Sequence, residues 1–284
     1  MLKQVIHING KSGSGKDMYA SCLRKVYNAC SDTALSRPDQ FAHILSFGFS
    51  LKRLAADLTG LNFKLFDARE TKDEVLSDDD YAVACRTASD CAFTNRVIPV
   101  THDIYAPWQN CPSFPVNVDY SAFNKWLQEN RNITPRDFLK KLGSDGGIVP
   151  SWTWVVAVRT QLEFLHNDSH NYVAIISDTR RLEELMNTDS WCLTRKIPTL
   201  AMRINHWDAA RQGCEHITET EFDSQPDMFD HVFSPQPGFI SVMTTLSDMV
   251  MSALPGAGIS KQKISEHTRF DFLKKVITAF SPIV

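Results

Sequence analysis

The sequence lacks long hydrophobic runs, an excess of basic charge and any enrichment in glycine or proline. No window approaches the roughly 20 uninterrupted apolar residues that a membrane-spanning helix needs, so we expect no membrane segment. Thirty basic residues against 33 acidic ones leave a formal net charge of −3, which disfavours binding to nucleic acid or an anionic membrane through overall charge. Only 12 glycines and 13 prolines occur in 284 residues, which excludes collagen-like and low-complexity classes.

Cysteine is also sparse, with seven residues, an odd number, spread along the chain. This usage indicates reduced thiols in a cytoplasmic protein rather than a disulfide framework. No small-residue cleavage site follows the first residues, so we expect no signal peptide. Cys85, Cys91, His102 and Cys111 lack the close C-x-x-C pairs of zinc sites, and a structural zinc is therefore disfavoured.

A glycine-rich segment after the first predicted strand carries the strongest functional signal. Residues 3–9, KQVIHIN, alternate polar and apolar side chains as a strand does, and apolar residues at helical spacing run from Tyr19 to Val26. Between them stands GKSGSGKD at 10–17, which satisfies the spacing G-x-x-x-x-G-K. A strand, such a loop and a helix in this order favour an anion, because loop N–H groups and the helix N-terminus point at it. We predict a phosphate-binding loop (P-loop).

This loop makes ATP and Mg²⁺ the expected cofactors. Lys16 is expected to contact the terminal phosphates. Asp17 stands where a Ser or Thr normally binds the metal, and its carboxylate is itself a suitable metal ligand. The residues predicted to bind the cofactor are Gly10, Ser12, Gly13, Ser14, Gly15, Lys16, Asp17 and Met18.

Strand and helix patterns alternate along the rest of the chain, which predicts a doubly wound α/β fold with a mainly parallel sheet. Further strands are predicted at 41–47, 171–177 and 199–205. Helices are predicted at 48–58, 60–84, 134–143, 152–165, 182–188 and 239–252. Residues 85–120 contain cysteines, prolines and scattered aromatics and are predicted to be a loop-rich insertion. Without a repeat or a linker, the chain is predicted to be one domain over 1–284, with helical and loop insertions at about 52–150.

Several ordered segments resemble the phage-type deoxynucleoside monophosphate kinases, which are P-loop nucleotide kinases. The segments are GKSGSGKD at 10–17, SFGFSLK at 46–52, DARETK at 67–72, TPRDFLKKLGSD at 134–145, ISDTR at 176–180 and HITE at 216–219. The resemblance implies ATP-dependent phosphoryl transfer to a (deoxy)nucleoside monophosphate, giving the diphosphate for nucleotide supply. For a phage-encoded member, the expected compartment is the host cytoplasm. Met18 stands where the family usually has Thr.

Basic residues in the matching segments are the candidates for holding two mutually repelling phosphates, since guanidinium groups pair well with phosphate oxygens. The predicted substrate-binding residues are Arg53, Arg69, Lys72, Arg136, Arg180 and Trp152. The predicted catalytic residues are Lys16, Arg136, Arg180 and Asp178. Trp152 is interpreted either as a base-stacking residue or as part of the buried side of its helix.

Asp178 directly follows a buried strand, where open α/β sheets place ligand groups. Together with Asp17 it is predicted to hold Mg²⁺. The alternative for Asp178 is an N-cap of the helix that follows.

Two other functions are open at this stage. A P-loop kinase acting on a hydroxymethylated pyrimidine base in DNA would need a general base and a basic channel, and the net charge disfavours it. The second is a nucleotide-binding module without turnover, against which Lys16 and the arginines favour an enzyme. The expected partner is a nucleoside monophosphate substrate; no membrane is expected, nucleic acid is disfavoured, and a homodimer is left open.

Overall fold

The computed structural model of this protein describes most of the chain. The described residues are 1–11, 13–30, 41–68, 70–94, 98–100, 114–116, 118–143, 148–150, 152–168, 170–205, 207 and 220–257. The chain divides into two compact units, of which the first comprises Met1–Ser46 with Leu162–Val284 and the second Phe47–Gln161. The prediction of a single domain over 1–284 stays a prediction.

A five-stranded parallel sheet forms the centre of the first unit. Its strands are β1 (Leu2–Gly10), β2 (Ala42–Leu45), β5 (Tyr172–Ile176), β6 (Thr199–Ile204) and β7 (His231–Phe233), in the order β2-β5-β1-β6-β7. All four neighbouring pairs are parallel. The predicted strands at 3–9, 41–47, 171–177 and 199–205 are confirmed. Strand β7 was not predicted, because three residues are too few to show a period.

Helices cover both faces of this sheet. They are α1 (Lys16–Cys30), α8 (Leu182–Thr194) and α9 (Phe239–Ala253). Successive side chains of a strand point to opposite faces. Met202 and Ile204 of β6 accordingly belong to the core cluster that includes residues of α1 and α9. Ala201 packs instead with Leu185 of α8. The fold is therefore the doubly wound α/β architecture that the sequence predicts.

The second unit is mainly helical. It contains α2 (Phe47–Thr59), α3 (Phe63–Asp67), α4 (Asp78–Thr94), β3 (Ile98–Val100), β4 (Phe114–Val116), α5 (Tyr120–Glu129), α6 (Pro135–Gly143) and the start of α7 (Trp152–Asn167). Strands β3 and β4 pair antiparallel. Phe66, Phe123 and Phe138 are fully buried, and the ring of Phe138 lies 6.1 Å from that of Phe66 and 6.2 Å from that of Phe123. These contacts join α3, α5 and α6 into one aromatic core.

The prediction of a loop-rich insertion at 85–120 is wrong for the part that the structure describes. This segment contains the second half of α4 and both strands of the antiparallel pair. Helix α4 buries only small side chains, those of Ala84, Ala88 and Cys91. Its buried face therefore lacks the large apolar residues on which a helical pattern in the sequence depends.

The continuous helix predicted at 60–84 is also interrupted. Helix α3 ends at Asp67, and a turn closed by a hydrogen bond from the Glu74 N–H to the Thr71 carbonyl precedes α4. Helix α4 starts at its own cap, where the Asp80 N–H donates to Ser77 Oγ at 3.1 Å. A Ser followed three residues later by an acid is a start signal that the charge cluster obscured.

The predicted start of α6 is confirmed. The Asp137 N–H donates to Thr134 Oγ1 at 3.2 Å, and the Thr134 N–H donates to Asp137 Oδ2 at 3.0 Å. This reciprocal pair satisfies two N–H groups that a helix start leaves without intrahelical acceptors. The helices predicted at 48–58, 152–165 and 239–252 are present within a few residues of their predicted ends, and α8 extends beyond the predicted 182–188.

Replacing Thr134 by alanine tests this cap. We expect Thr134→Ala to lower the free energy of unfolding by about 0.5–2 kcal/mol, because one N–H at the helix start loses its acceptor. Thr94→Ala is the matched control, since the Thr94 hydroxyl donates only within the last turn of α4. A change within about 0.5 kcal/mol is expected for the control. Urea denaturation of both variants measures the difference, and equal losses would contradict the cap assignment.

Candidate functional site

The loop between β1 and α1 adopts a conformation that its glycines make accessible. Gly13 and Gly15 have φ values of 82° and 83°, a region that favours glycine. At Gly10, a Cβ atom would lie 2.8 Å from the carbonyl oxygen of Ile204, closer than such atoms approach. The glycines of the motif are thus required by the backbone path itself. Ser12, which the sequence also assigns to this loop, lies outside the described residues.

The polar groups of this loop fit a phosphate. Lys16 is the first residue of α1 and is only 5% exposed. Ser14 Oγ is buried and has no hydrogen-bond partner among the described residues. Because the first N–H groups of a helix have no intrahelical acceptors, the start of α1 adds further donors and partial positive charge. The predicted cofactor residues Asp17 and Met18 follow on the first turn, where Asp17 is exposed and Met18 half-buried.

A turn after β5 lies at the same carboxyl edge of the sheet as the loop. Asp178 is buried, and its Oδ2 accepts a hydrogen bond from Ser46 Oγ at 2.6 Å. The Arg180 N–H donates to Glu184 Oε2 at 2.7 Å, and the Arg181 N–H donates to the same oxygen at 3.0 Å. Arg181, not Asp178, is the N-cap of α8. The capping alternative for Asp178 is therefore wrong, and its carboxylate belongs to the strand edge.

Strand β1 holds this turn through two polar side chains. His7 Nδ1 lies 2.9 Å from Thr179 Oγ1, and Asn9 Nδ2 donates to the Thr179 carbonyl at 2.7 Å. Burial lowers the pKa of His7 to about 3, so the imidazole is neutral near pH 7. Neither His7 nor Asn9 was predicted as a site residue. Two polar residues two positions apart on a buried strand were the available signal.

A cluster of three charged side chains lies at the ends of β1 and β6. Lys11 Nζ lies 2.7 Å from Asp223 Oδ2, and Arg203 Nη2 donates to Asp223 Oδ1. Partial burial raises the pKa of Asp223, but the hydrogen bonds from Lys11 and Arg203 outweigh this effect and hold the pKa below its ordinary value. Two largely buried cations, Lys11 within the loop and Arg203 on β6, thus share one carboxylate.

The other predicted acceptor residues belong to the second unit. Arg53 pairs with Asp57 one helical turn away, at 3.3 Å. Arg136 donates through Nε and Nη2 to the carboxylate of Asp73, and its N–H donates to the Lys72 carbonyl at 3.0 Å. The structure thus brings Lys72 and Arg136 together. Arg69 lies outside the described residues.

Trp152 does not lie on the buried side of α7. It is the first residue of the helix and is 56% exposed, whereas Trp154, Val155 and Val158 are buried. The pattern prediction failed because Trp152, although apolar, lies on the same side of α7 as the exposed Arg159, seven positions later. Base stacking by the exposed ring of Trp152 stays a prediction.

Two general properties follow from the described residues. Within the described ranges, no group of three or more His, Cys, Asp and Glu side chains is placed to hold a metal ion. Cys85 and Cys91 lie on α4, where Cys91 is buried, and His102 and Cys111 lie outside the described residues. None of the described helices combines the length and apolar character needed to cross a membrane.

Comparison with known proteins finds structural similarity only. No protein-family model matches the sequence. No curated protein matches it either. Among solved structures, a mutant of the APS kinase CysC from Mycobacterium tuberculosis matches over 88% of this chain and 97% of its own, with 9% identity and a TM-score of 0.29. The α/β assignment accordingly rests on the strand order, the helices and the loop geometry described above.

The buried carboxyl group of Glu184, at the carboxyl edge of the sheet, is expected to make the stability of the protein depend on pH. Burial, together with the charge of Asp178, raises the pKa of Glu184 to about 8, against the opposing N–H donors of Arg180 and Arg181. The unfolded chain has a pKa of about 4.3 at this group. Because the folded state keeps a proton that the unfolded state releases, the contribution of Glu184 to stability is present below about pH 4.3 and is lost as the pH rises to about 8.

As the pH rises from about 5 to about 8, we expect the free energy of unfolding to fall less in Glu184→Gln, whose amide is neutral at every pH, than in the parent protein. The expected difference is on the order of 1–3 kcal/mol. The variant keeps an oxygen that accepts from both N–H groups. Glu183→Gln is the control, because Glu183 is exposed on the same helical turn. Denaturant unfolding across this pH range measures the effect, and parallel pH profiles for parent and Glu184→Gln would refute it.

Proposed function

We propose that this chain is a P-loop kinase that transfers the terminal phosphoryl group of ATP to a (deoxy)nucleoside monophosphate and releases the diphosphate. The observation that carries the proposal is the buried Lys16 at the start of α1, beside a loop with two left-handed glycines and an unsatisfied Ser14 Oγ. A cation, a hydroxyl donor and helix N–H groups in one loop and at the start of its helix favour a polyphosphate. A loop for a neutral ligand has no use for this combination.

Phosphoryl transfer depends mainly on positioning and on neutralising charge. Lys16 stabilises the negative charge that accumulates on the transferred group, and the loop N–H groups hold the phosphates of the donor. Asp17 and Asp178 are the carboxylates that would hold Mg²⁺, which supplies further charge neutralisation when bound. Ser46, by donating to Asp178, fixes the orientation of that carboxylate.

The acceptor phosphate is already an anion at neutral pH, so this reaction needs no general base to activate it. What the protein must supply is positive charge that holds two anions close together. Arg180 is the acceptor-side candidate in the first unit, because it follows β5 at the carboxyl edge of the sheet. Arg53, Lys72 and Arg136 of the second unit stay predictions from the sequence; in the structure Arg136 pairs with Asp73.

Removing the loop lysine tests whether the chain is a phosphotransferase. We expect Lys16→Ala to lower turnover by roughly a thousandfold or more, because it removes preorganised charge from the transferred group. Lys25→Ala, at an exposed position of the same helix, is the matched control and should keep parental turnover. Initial rates with ATP and each nucleoside monophosphate give the comparison, and thermal unfolding verifies that both variants are folded. Parental turnover in folded Lys16→Ala would refute the proposed function.

The identity of the acceptor is tested at Arg180. We expect Arg180→Ala to lower kcat/KM for the nucleoside monophosphate by an amount equivalent to about 2–4 kcal/mol, because one charged phosphate contact is lost. ATP binding should change little. Arg159→Ala, which removes an exposed arginine of α7, is the control. The same assays include an oligonucleotide that contains hydroxymethylated pyrimidine. Activity with that oligonucleotide alone would show that the acceptor is a base in DNA and not a nucleoside monophosphate.

A further inference from the structure

The turn after β5 is held by the strand that leads into the phosphate-binding loop. Thr179 is fully buried between Asp178 and Arg180, the two residues of this turn that the proposed reaction uses. Its hydroxyl contacts His7 Nδ1 at 2.9 Å, and its carbonyl accepts from Asn9 Nδ2 at 2.7 Å. Two polar groups of Thr179, its hydroxyl and its carbonyl, therefore contact side chains of β1.

His7 and Asn9 are well placed for this task by the geometry of the strand. They lie two positions apart, so both side chains leave β1 on the same face. Asn9 directly precedes Gly10, the first residue of the loop. The backbone that carries the loop is consequently the backbone that holds Thr179, and a shift of one requires a shift of the other.

The imidazole of His7 has a defined orientation. Its Nδ1 lies within hydrogen-bond distance of Thr179 Oγ1, whereas its Nε2 lies 3.6 Å from Asp189 Oδ1 of α8, which is too long for a hydrogen bond. The side chain is fully buried and neutral, so this arrangement stays the same over the range in which enzymes usually work.

Two further contacts hold the residues on either side of Thr179. Ser46 Oγ donates to Asp178 Oδ2 at 2.6 Å, and the Arg180 N–H donates to Glu184 Oε2 at 2.7 Å. Three successive residues are thus fixed by four hydrogen bonds from three different parts of the first unit. A turn that needed only to connect β5 with α8 could be built from apolar contacts at His7 and Asn9, without burying an imidazole and an amide.

We propose that His7 and Asn9 are positioning residues for phosphoryl transfer, which act through Thr179 to hold Asp178 and Arg180 in register with the phosphate-binding loop. This inference rests on the proposed function. It adds that β1 supplies more than the loop: the strand also sets where the acceptor-side arginine and the second carboxylate lie. Displacing a reacting group by about 1 Å reduces rates up to about a hundredfold, so loss of these contacts should reduce turnover strongly.

The test compares two buried hydrogen bonds made by the same strand. Thr179→Val removes the hydroxyl that contacts His7 and keeps the shape of the side chain. Tyr27→Phe, the matched control, removes the buried hydrogen bond from Tyr27 to Gln4 Oε1 of β1, which does not touch the turn. We expect Thr179→Val to lower kcat about ten- to hundredfold with the KM for ATP little changed. Thr179→Ser, which restores the hydroxyl, should recover most of the lost turnover.

A second measurement does not depend on turnover. Amide hydrogen exchange over residues 177–184 should be faster in Thr179→Val, and in Asn9→Ala, than in the parent protein or in Tyr27→Phe. If Thr179→Val has the same kcat and the same amide exchange rates as Tyr27→Phe, the positioning role is overturned, whereas the proposed kinase activity is not affected. An equal loss of kcat in Tyr27→Phe would reduce the effect to general stability and would also overturn it. A parent protein without phosphoryl transfer to any acceptor overturns the proposed function first, and the positioning role with it.

Discussion

Strand β1 pairs with β5 on one side and with β6 on the other, and the candidate site depends on this double pairing. Since the three strands are parallel, their carboxyl ends reach one edge of the sheet, where open α/β sheets bind ligands. The register places His7 opposite Ile176 and Gly10 opposite Ile204. The phosphate-binding loop, the turn after β5 and the end of β6 therefore lie side by side, although more than 150 residues separate the first from the second.

Buried polar and charged groups at this edge are consistent with an electrostatic function. Lys11 and Lys16 are nearly excluded from solvent, as are the acids Asp178 and Glu184. Taking such groups out of water is costly unless each has a partner. The same exclusion of water strengthens the interaction of every charge with a bound anion. Contacts such as those of Ser46 with Asp178 and of Lys11 with Asp223 thus stabilise the edge.

Much of the fold was predictable because its elements carry strong local signals. Alternation in β1, the apolar run of β5 and the Thr–Asp cap of α6 all depend on neighbours in sequence, so the sequence shows them directly. Local signals failed where burial involves small residues, as in α4, or where a strand is as short as β7. Trp152 was misplaced for a different reason: it is apolar, yet it lies on the same side of α7 as the exposed Arg159, seven positions later.

The predicted phosphate-binding loop is the part of the site that the sequence alone determined, because it is built from consecutive residues: glycines that allow the left-handed backbone, and a lysine at the helix start. The support of the neighbouring turn was decided only by the tertiary structure. His7 contacts a residue 172 positions away, and Lys11 one 212 positions away. Such pairs exist only once parallel strands are in register, and no local pattern encodes them, because each residue by itself is an ordinary polar side chain.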